Sequence, residues 1–234
     1  MLVNVFSKIV SRFKGQEFKL DESLSDKYII SFFAAKVFAL AWGTMRLCTF
    51  KRAFVHPSAK IKCRSKLRFG RNLQVGPHCF IDALSKDGLK LGDNCSLGDY
   101  TFIRLTGSLK QVANGVKIGN NVGLGSHGFY GCGVGTLEIG DDCIFGNYVS
   151  IHPENHNYLD AEKPIRLQGV SSVGGVRIGN NCWIGAKTTI LDGTIIGNHC
   201  VVAAGAVVKG IFPDNVIIGG VPARIIKEIP MSNE

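Results

Sequence analysis

The sequence predicts an all-β solenoid, a parallel β-helix of about six coils, with an N-terminal helical extension and one long extruded loop. Three observations lead there. From Val176 to Val208 an aliphatic residue recurs at every sixth position: Ile178, Ile184, Ile190, Ile196, Val202 and Val208. A helix would repeat near 3.6 residues and a strand at 2, so this period fits a short strand plus a tight turn, wound as a coil. The same phase returns upstream in the triplets Phe69/Val75/Ile81, Leu91/Leu97/Ile103, Ile118/Leu124/Tyr130 and Ile139/Phe145/Ile151. Three hexads close one turn of a triangular prism, and these side chains stack inside it. Gly, Asn and Asp fill the intervening corners, as GDN at 92–94, GNN at 119–121 and 179–181, and GDD at 140–142. These residue types enter the left-handed backbone region at low cost, which tight corners need.

Spacing between the triplets says where the scaffold is interrupted. Ile81 to Leu91 is ten residues, Ile103 to Ile118 fifteen, Tyr130 to Ile139 nine and Ile151 to Ile178 twenty-seven. Within triplets the step is always six, so every insertion leaves the prism along one corner. Loops carried on a rigid scaffold are where chemistry usually sits. The longest, about residues 152–177, is therefore the expected site region.

Three segments are read: 1–52 as a basic, apolar helical extension, 53–229 as the β-helix and 230–234 as a tail. In residues 2–14, Leu2, Val5, Phe6, Ile9, Val10 and Phe13 form one helical face, with Lys8, Arg12 and Lys14 elsewhere. Two readings fit this helix: an interfacial membrane anchor, or packing on the solenoid. Residues 15–27 are a polar linker, with Ser25 a helix N-cap. Tyr28–Met45 is apolar apart from Lys36, Ser31 and Thr44. It is short for a membrane span and carries a cation at its middle, so an interfacial or packed helix is the expectation. The chain's net charge of +9 belongs wholly to the N-terminal part: residues 1–66 hold 13 Lys/Arg against 4 Asp/Glu, and residues 67–234 hold 14 of each. A basic excess beside apolar helices suits an anionic membrane surface, and no nucleic-acid motif accompanies it.

Eight cysteines raise disulfide or zinc chemistry. Cys79, Cys95, Cys143, Cys182 and Cys200 each stand two residues before a repeat aliphatic, and no CxxC pair occurs. They read as one recurrent small core position, reduced, in a cytoplasmic compartment. The apolar start lacks a basic leader and a small-residue cleavage site, so no signal peptide is expected.

VSIHPENH (149–156), NNCWIG (180–185) and GGVPARIIKEI (219–229), in that order over the repeat, resemble the hexapeptide-repeat acyltransferases. The resemblance covers about residues 53–229 and is nearest to the polysaccharide, galactoside and maltose O-acetyltransferases. It implies a left-handed coil, against the usual crossover hand, a homotrimer, and acetyl-CoA as acyl donor with no metal. His156 lies five residues after Ile151, the offset of the family's catalytic histidine. An imidazole titrating near neutrality suits deprotonation of a sugar hydroxyl as it attacks a thioester. Glu154, Asn155, Asn157 or a backbone carbonyl would orient its ring. Trp183 has Cys182 and Ile184 beside it to serve the core, and the resemblance puts it in the cofactor cleft. Ala186, Ala204 and Gly205 match backbone contacts to CoA, and Arg224 and Lys227 match the two basic positions near its phosphates. Where the family commonly reads VVTKDIP, this chain has VVKGIFP (207–213), which puts Lys209 in place of a threonine. His127, His152, Asn155, Arg166 and Gln168 are candidate acceptor contacts.

The expected reaction is O-acetylation of a sugar in surface polysaccharide synthesis, in the cytoplasm or at the inner face of its membrane. N-acetylation of an amino sugar nucleotide is the alternative within the class. Two other classes are the alternatives. Zinc held by His127, His152 and His156 would follow the γ-class carbonic anhydrases, but the spacings of 25 and 4 do not match that pattern. A non-catalytic hexapeptide-repeat subunit would have no need of His156, Trp183 and the basic C-terminus together.

Overall fold

The computed structural model describes residues 2–14 and 17–230, with the side chains of Phe13 and Lys14 left aside. The Phe13 position of the first helical face, residues 15 and 16 of the linker, and residues 231–234 of the tail therefore lie outside what is described.

Short parallel strands stack into three sheets that form the faces of a prism. The first face opens with Ala53–Val55, the second with Lys60–Lys62 and the third with Leu67–Phe69. Each strand pairs with its counterpart one turn later, as Val55 with Val75, Ile61 with Ile81 and Phe69 with Leu91. The second and third faces have seven strands each; the first has nine, the last of them antiparallel. The prism thus makes seven turns and begins an eighth, against the expected six or so. The surplus comes from 53–62 before the first triplet and from Phe212 and Ile218 after the last. The repeat aliphatics point inward and form one continuous buried core.

The corner after the third face explains the GDN, GNN and GDD motifs. Asn72, Asn94, Asn121, Asp142, Asn181, His199 and Asn215 all have φ between 52° and 61° there. One residue earlier, a side-chain oxygen accepts the backbone N–H of the turn before. Arg71 N–H donates to Asp93 Oδ1 (2.6 Å), Asp93 N–H to Asn120 Oδ1 (2.8 Å), and Asn180 N–H to Asn198 Oδ1 (2.8 Å). Asn72, Asn94, Asn121 and Asp142 also bond in series at 2.7–2.8 Å. Corner amides facing away from the ladder are thus satisfied by the next turn.

The next corner, between first and second faces, places bulkier residues in the same backbone region: His78, Tyr100, His127, Tyr148 and Lys187, with φ of 56–61°. Such residues are uncommon there. Here the rings stack at 4.8, 4.9 and 4.8 Å from His78 to Tyr148, and the contact offsets part of the backbone cost. All insertions leave at the remaining corner, between second and third faces, as the spacing predicts.

The cysteine column needs one correction. Cys95, Cys143, Cys182 and Cys200 precede first-face strands and share a corner, but Cys79 precedes a second-face strand and lies on another. All five are buried and free. Burial pushes the Cys79 thiol up to about 11, and their S–H groups donate to carbonyls of the next turn, as Cys182 to Gly197 O at 3.2 Å.

Helix α1 (Leu2–Lys14) and helix α2 (Asp26–Leu47) precede the prism. Ser25 caps α2 by accepting from Tyr28 N–H, as the sequence suggests. Gly43 is buried against the Ala53 carbonyl and the Val55 side chain, leaving no room for a Cβ, and Trp42 and Leu47 pack on the core. The helix therefore lies across the open edge of the first turn. Lys36, which argues against a span in the sequence, donates to Gln74 Oε1 at 2.6 Å and lies over Phe32 and Phe54. Phe6 of α1 stacks on Phe33 of α2 at 4.2 Å. Ser7 and Ser11 accept the amides of Leu20 and Phe18, so the connector returns along α1.

Tyr130 occupies an inward repeat position where the other triplets have aliphatics or Phe. It is fully buried, edge-on to Phe145, and its hydroxyl has no hydrogen-bond partner among the described residues. Gly128 leaves space for the ring. A buried hydroxyl without a partner costs about 1–3 kcal/mol, so Tyr130→Phe is expected to raise the free energy of unfolding by roughly that amount. Chemical denaturation of the two proteins measures it, and a destabilised variant would mean that the hydroxyl is satisfied.

Candidate active site

The long loop leaves the fifth turn after Ser150–His152 and re-enters at Val176–Ile178. It is built, not slack. Asn155–His156 pairs antiparallel with Val170–Ser171, opposing His156 to Val170. Beyond this ribbon, the Gln168 side chain ties the loop's far end together. Its Nε2 donates to Asp160 O and Lys163 O (2.8 and 2.7 Å), and its Oε1 accepts Asp160 N–H (3.1 Å). Asn157 Nδ2 donates to Gln168 O, and Asn157 Oδ1 accepts the Ser171 hydroxyl.

The loop's root is held by Asp192, a residue that the sequence reading passed over. It lies in the sixth turn and is only 1% exposed. Its Oδ2 accepts Asn155 Nδ2 and Val173 N–H, both at 2.7 Å. Its Oδ1 accepts the Ser172 hydroxyl (2.7 Å) and Gly175 N–H (2.9 Å). One buried carboxylate thus clasps both strands of the stem. The only sequence signal for it is an Asp directly after a second-face strand, just before the tight Gly193 turn. On the other side Glu154 Oε2 accepts Val134 N–H at 3.0 Å, in space left open by Gly133.

These contacts answer which neighbour orients His156. Glu154, Asn155 and Asn157 are all engaged in holding the loop, and none bonds to the imidazole. The His156 ring is exposed and makes no hydrogen bond among the described residues. It lines an open concavity of ≈ 550 Å³ with Asn157, Tyr158, Asp160, Lys163, Gln168 and Lys209. Lys163 pairs with Asp160 at 3.1 Å. Lys209 lies two turns further on at the same corner.

The remaining candidates divide by position. Trp183 stands on the outward side of the first face, 57% exposed, between Ile144 and Val201 in register. Ala186, Ala204 and Gly205 line the first-to-second corner of the sixth and seventh turns. Arg224 and Lys227 lie on Ala223–Glu228, antiparallel to Val216–Gly220. In a triangular prism the His156 corner is opposite the first face, so one chain does not bring His156 and Trp183 together.

The candidate acceptor contacts lie on different features of the fold. His127 is on the first-to-second corner, stacked between Tyr100 and Tyr148, and not beneath the loop. His152 stacks on Phe129 at 5.3 Å on the second face and does not line the concavity. Arg166 is exposed and also outside its lining. Asn155 and Gln168 border the concavity, but their side chains are committed to the loop. The three histidines of the zinc alternative thus sit on separate features of the fold.

The repeat matches the family model described as bacterial transferase hexapeptide (six repeats) over residues 175–210. Over 174 residues the chain is 28% identical to the putative lipopolysaccharide biosynthesis O-acetyl transferase WbbJ of Escherichia coli, covering 72% of this chain and 74% of that one. It is 36% identical over 98 residues to the galactoside O-acetyltransferase of E. coli, 40% of this chain and 45% of that one. Among solved structures, a mutant of AntD, an N-acyltransferase from Bacillus cereus in complex with dTDP and coenzyme A, superposes with a TM-score of 0.52. That match is 20% identical and covers 77% of this chain and 82% of that one. The prism is the left-handed β-helix of these structures, and its hexapeptide repeat is similar to that of the acyltransferases named above. The chain spans about three quarters of WbbJ but under half of the galactoside enzyme.

Two expectations test this site. Asp192→Asn replaces an acceptor by a donor facing several N–H and O–H groups, at a cost of about 1.5–3 kcal/mol. Limited proteolysis is expected to cut faster within 157–169 while the solenoid resists; unchanged cutting would remove Asp192 as the clasp. At His152, burial holds the imidazole below its usual 6.5, and the Glu154 carboxylate opposes this. A depressed folded value contributes stability above the unfolded value and loses it as pH falls. The melting temperature of His152→Gln should therefore fall less than that of the parent below about pH 6.5. Parallel profiles would contradict it.

Proposed function

We propose that this protein is an acetyl-CoA-dependent O-acetyltransferase that modifies a sugar hydroxyl in surface polysaccharide synthesis, working as a homotrimer. The observation that carries the reading is His156, held by an anchored ribbon at a concavity that also contains Lys209. The imidazole is unencumbered on its open side and fixed through the backbone, as a general base needs to be. The names of the similar enzymes, lipopolysaccharide and galactoside O-acetyltransferases, support the acceptor class.

The chemistry needs no covalent enzyme intermediate. An acceptor hydroxyl beside His156 gives its proton to the imidazole as its oxygen attacks the thioester carbonyl. The new C–O bond leaves a tetrahedral oxyanion, which backbone N–H donors stabilise. Collapse breaks the C–S bond, and the imidazolium returns the proton to the CoA sulfur. Trp183, Ala186, Ala204 and Gly205 would line the pantetheine arm, while Arg224 and Lys227 would meet the phosphates. Because these lie across the prism from His156, a complete site takes them from a second protomer. Lys209, on the His156 side, would serve the phosphates from the first.

Calorimetric titration with CoA and acetyl-CoA tests the cofactor. Micromolar binding near one per chain is expected, weakened about tenfold in Arg224→Ala; no binding would sink the reading. His156→Ala should keep CoA affinity and lose at least about two orders of magnitude in transfer rate. Sugars bearing a free hydroxyl and matched amino sugars, assayed side by side, separate O- from N-transfer.

A further inference from the structure

The N-terminal end of the prism carries a surface that the transfer chemistry does not use. At 100° per residue, the side of α2 opposite Gly43 carries Lys27 in its first turn and then Ile30, Ala34, Val37, Phe38, Ala41 and Met45. From Ile30 on, every one is apolar and exposed. Ile30 is 54% exposed, Val37 66%, Phe38 59% and Met45 62%. On α1, Val5 and Ile9 are exposed too, so the predicted apolar face of that helix divides, Phe6 turning to Phe33 and Val5 and Ile9 to the outside. Solenoid ends are ordinarily covered by polar caps. Here the cap covers the first turn with one side and presents an apolar stripe with the other.

Cations border this stripe. The first turn, residues 53–69, holds Lys60, Lys62, Arg64, Lys66 and Arg68 and no carboxylate. Arg46, Lys51 and Arg52 lead into it, and Arg64 reaches the Arg46 carbonyl, joining helix and turn. The carboxylates Asp82, Asp87 and Asp93 appear only in the second turn. The carboxylates of the extension, Glu17, Asp21, Glu22 and Asp26, are confined to the connector and the start of α2, so the cations of the first turn face none on their own turn.

We propose that this end of the prism docks on an anionic lipid surface, with the α2 stripe lying in the headgroup–acyl boundary and the first-turn cations on the headgroups. An apolar helical face flanked by Lys and Arg is the composition of an interfacial helix, and each cation near such a surface adds to the attraction. A spanning α2 would instead strip Trp42, Gly43 and Leu47 from the first turn and Lys36 from Gln74. The prism axis then rises from the membrane. The His156 loop, four turns above the first, stands roughly 20 Å out at about 4.8 Å per turn. Resting on the acetyltransferase reading, this geometry assigns the acceptor as a glycan linked to a membrane lipid, acetylated on a sugar held away from the headgroup.

The test is flotation of the full chain with vesicles of phosphatidylglycerol and phosphatidylcholine in equal parts, against phosphatidylcholine alone. Binding to the anionic vesicles, weak on the neutral ones and reduced by salt, is expected. Val37→Asp with Phe38→Asp should reduce it about tenfold or more, and Lys60→Gln with Lys62→Gln should weaken it without touching the helices. Circular dichroism melts establish that the variants fold. A parent chain that stays with the unbound fraction overturns the proposal. So does an Asp pair that changes the sedimentation coefficient of the lipid-free protein, since the stripe would then be a contact between copies. CoA titration of the same samples keeps the two readings apart: lost CoA binding with retained flotation sinks only the transferase.

Discussion

The structure depends on one bond repeated up the prism. At the corner after the third face, an Asn or Asp oxygen accepts the backbone N–H of the turn before. A coil that bends three times per turn must break its strand ladder three times, and each break exposes amides to the interior edge. At this corner the side chain of the next turn takes up the amide, while the left-handed residue beside it makes the bend. Each turn is thereby fixed in register on its neighbour, and the inward aliphatics fall into columns without any long-range turn signal. At the second corner such a bond occurs singly, from Ser126 N–H to Asn147 Oδ1 at 3.0 Å, and is not repeated as a ladder among the described residues. There His78, Tyr100, His127 and Tyr148 hold a costly backbone conformation beside their stacked rings. The third corner, where the chain departs, has no repeated ladder; single carboxylates, Glu154 and Asp192, take up the amides of the turn before.

That division assigns the roles of the loops. The His156 loop can be long because both its ends return to strands whose positions are set independently of it. What makes it suitable for chemistry is the second layer: Asp192 below, Glu154 at the side and Gln168 at the tip. A catalytic imidazole loses efficiency when its backbone wanders, since proton transfer falls steeply with misplacement. Here the neighbouring polar side chains are spent on the backbone, and the imidazole is left open toward the concavity. His156 is positioned by the ribbon that carries it.

The same logic separates what was legible from what was not. Ile178, Ile184 and Ile190 announce the coil because a six-residue period has few other physical causes. Trp183 could be read as outward because Cys182 and Ile184 already supply the inward positions. Ser25 was legible as a cap from its place between a polar stretch and an apolar one. Asp192 was not, because a buried carboxylate is recognised by what it receives, and its donors at 155, 172, 173 and 175 lie up to thirty-seven residues away. The corner that His127 occupies was not legible for the related reason that closeness in turn number is not closeness in corner. The five cysteines share an offset within the hexad, yet the hexad occurs on three faces, so equal offset did not mean equal place.

The sequence by itself determined the solenoid, its period, the corner that yields the loops, the candidate base and the basic, apolar N-terminus. All of these are local: propensity, periodicity and composition act within a few residues of one another. Only the tertiary structure decided the number of turns, the packing of α2 on the first turn through Gly43, the clasp on Asp192, and the separation of His156 from Trp183 by the body of the prism. These are distances between residues far apart in the chain, and a one-dimensional period carries no information about which corner a residue occupies until the coil is closed.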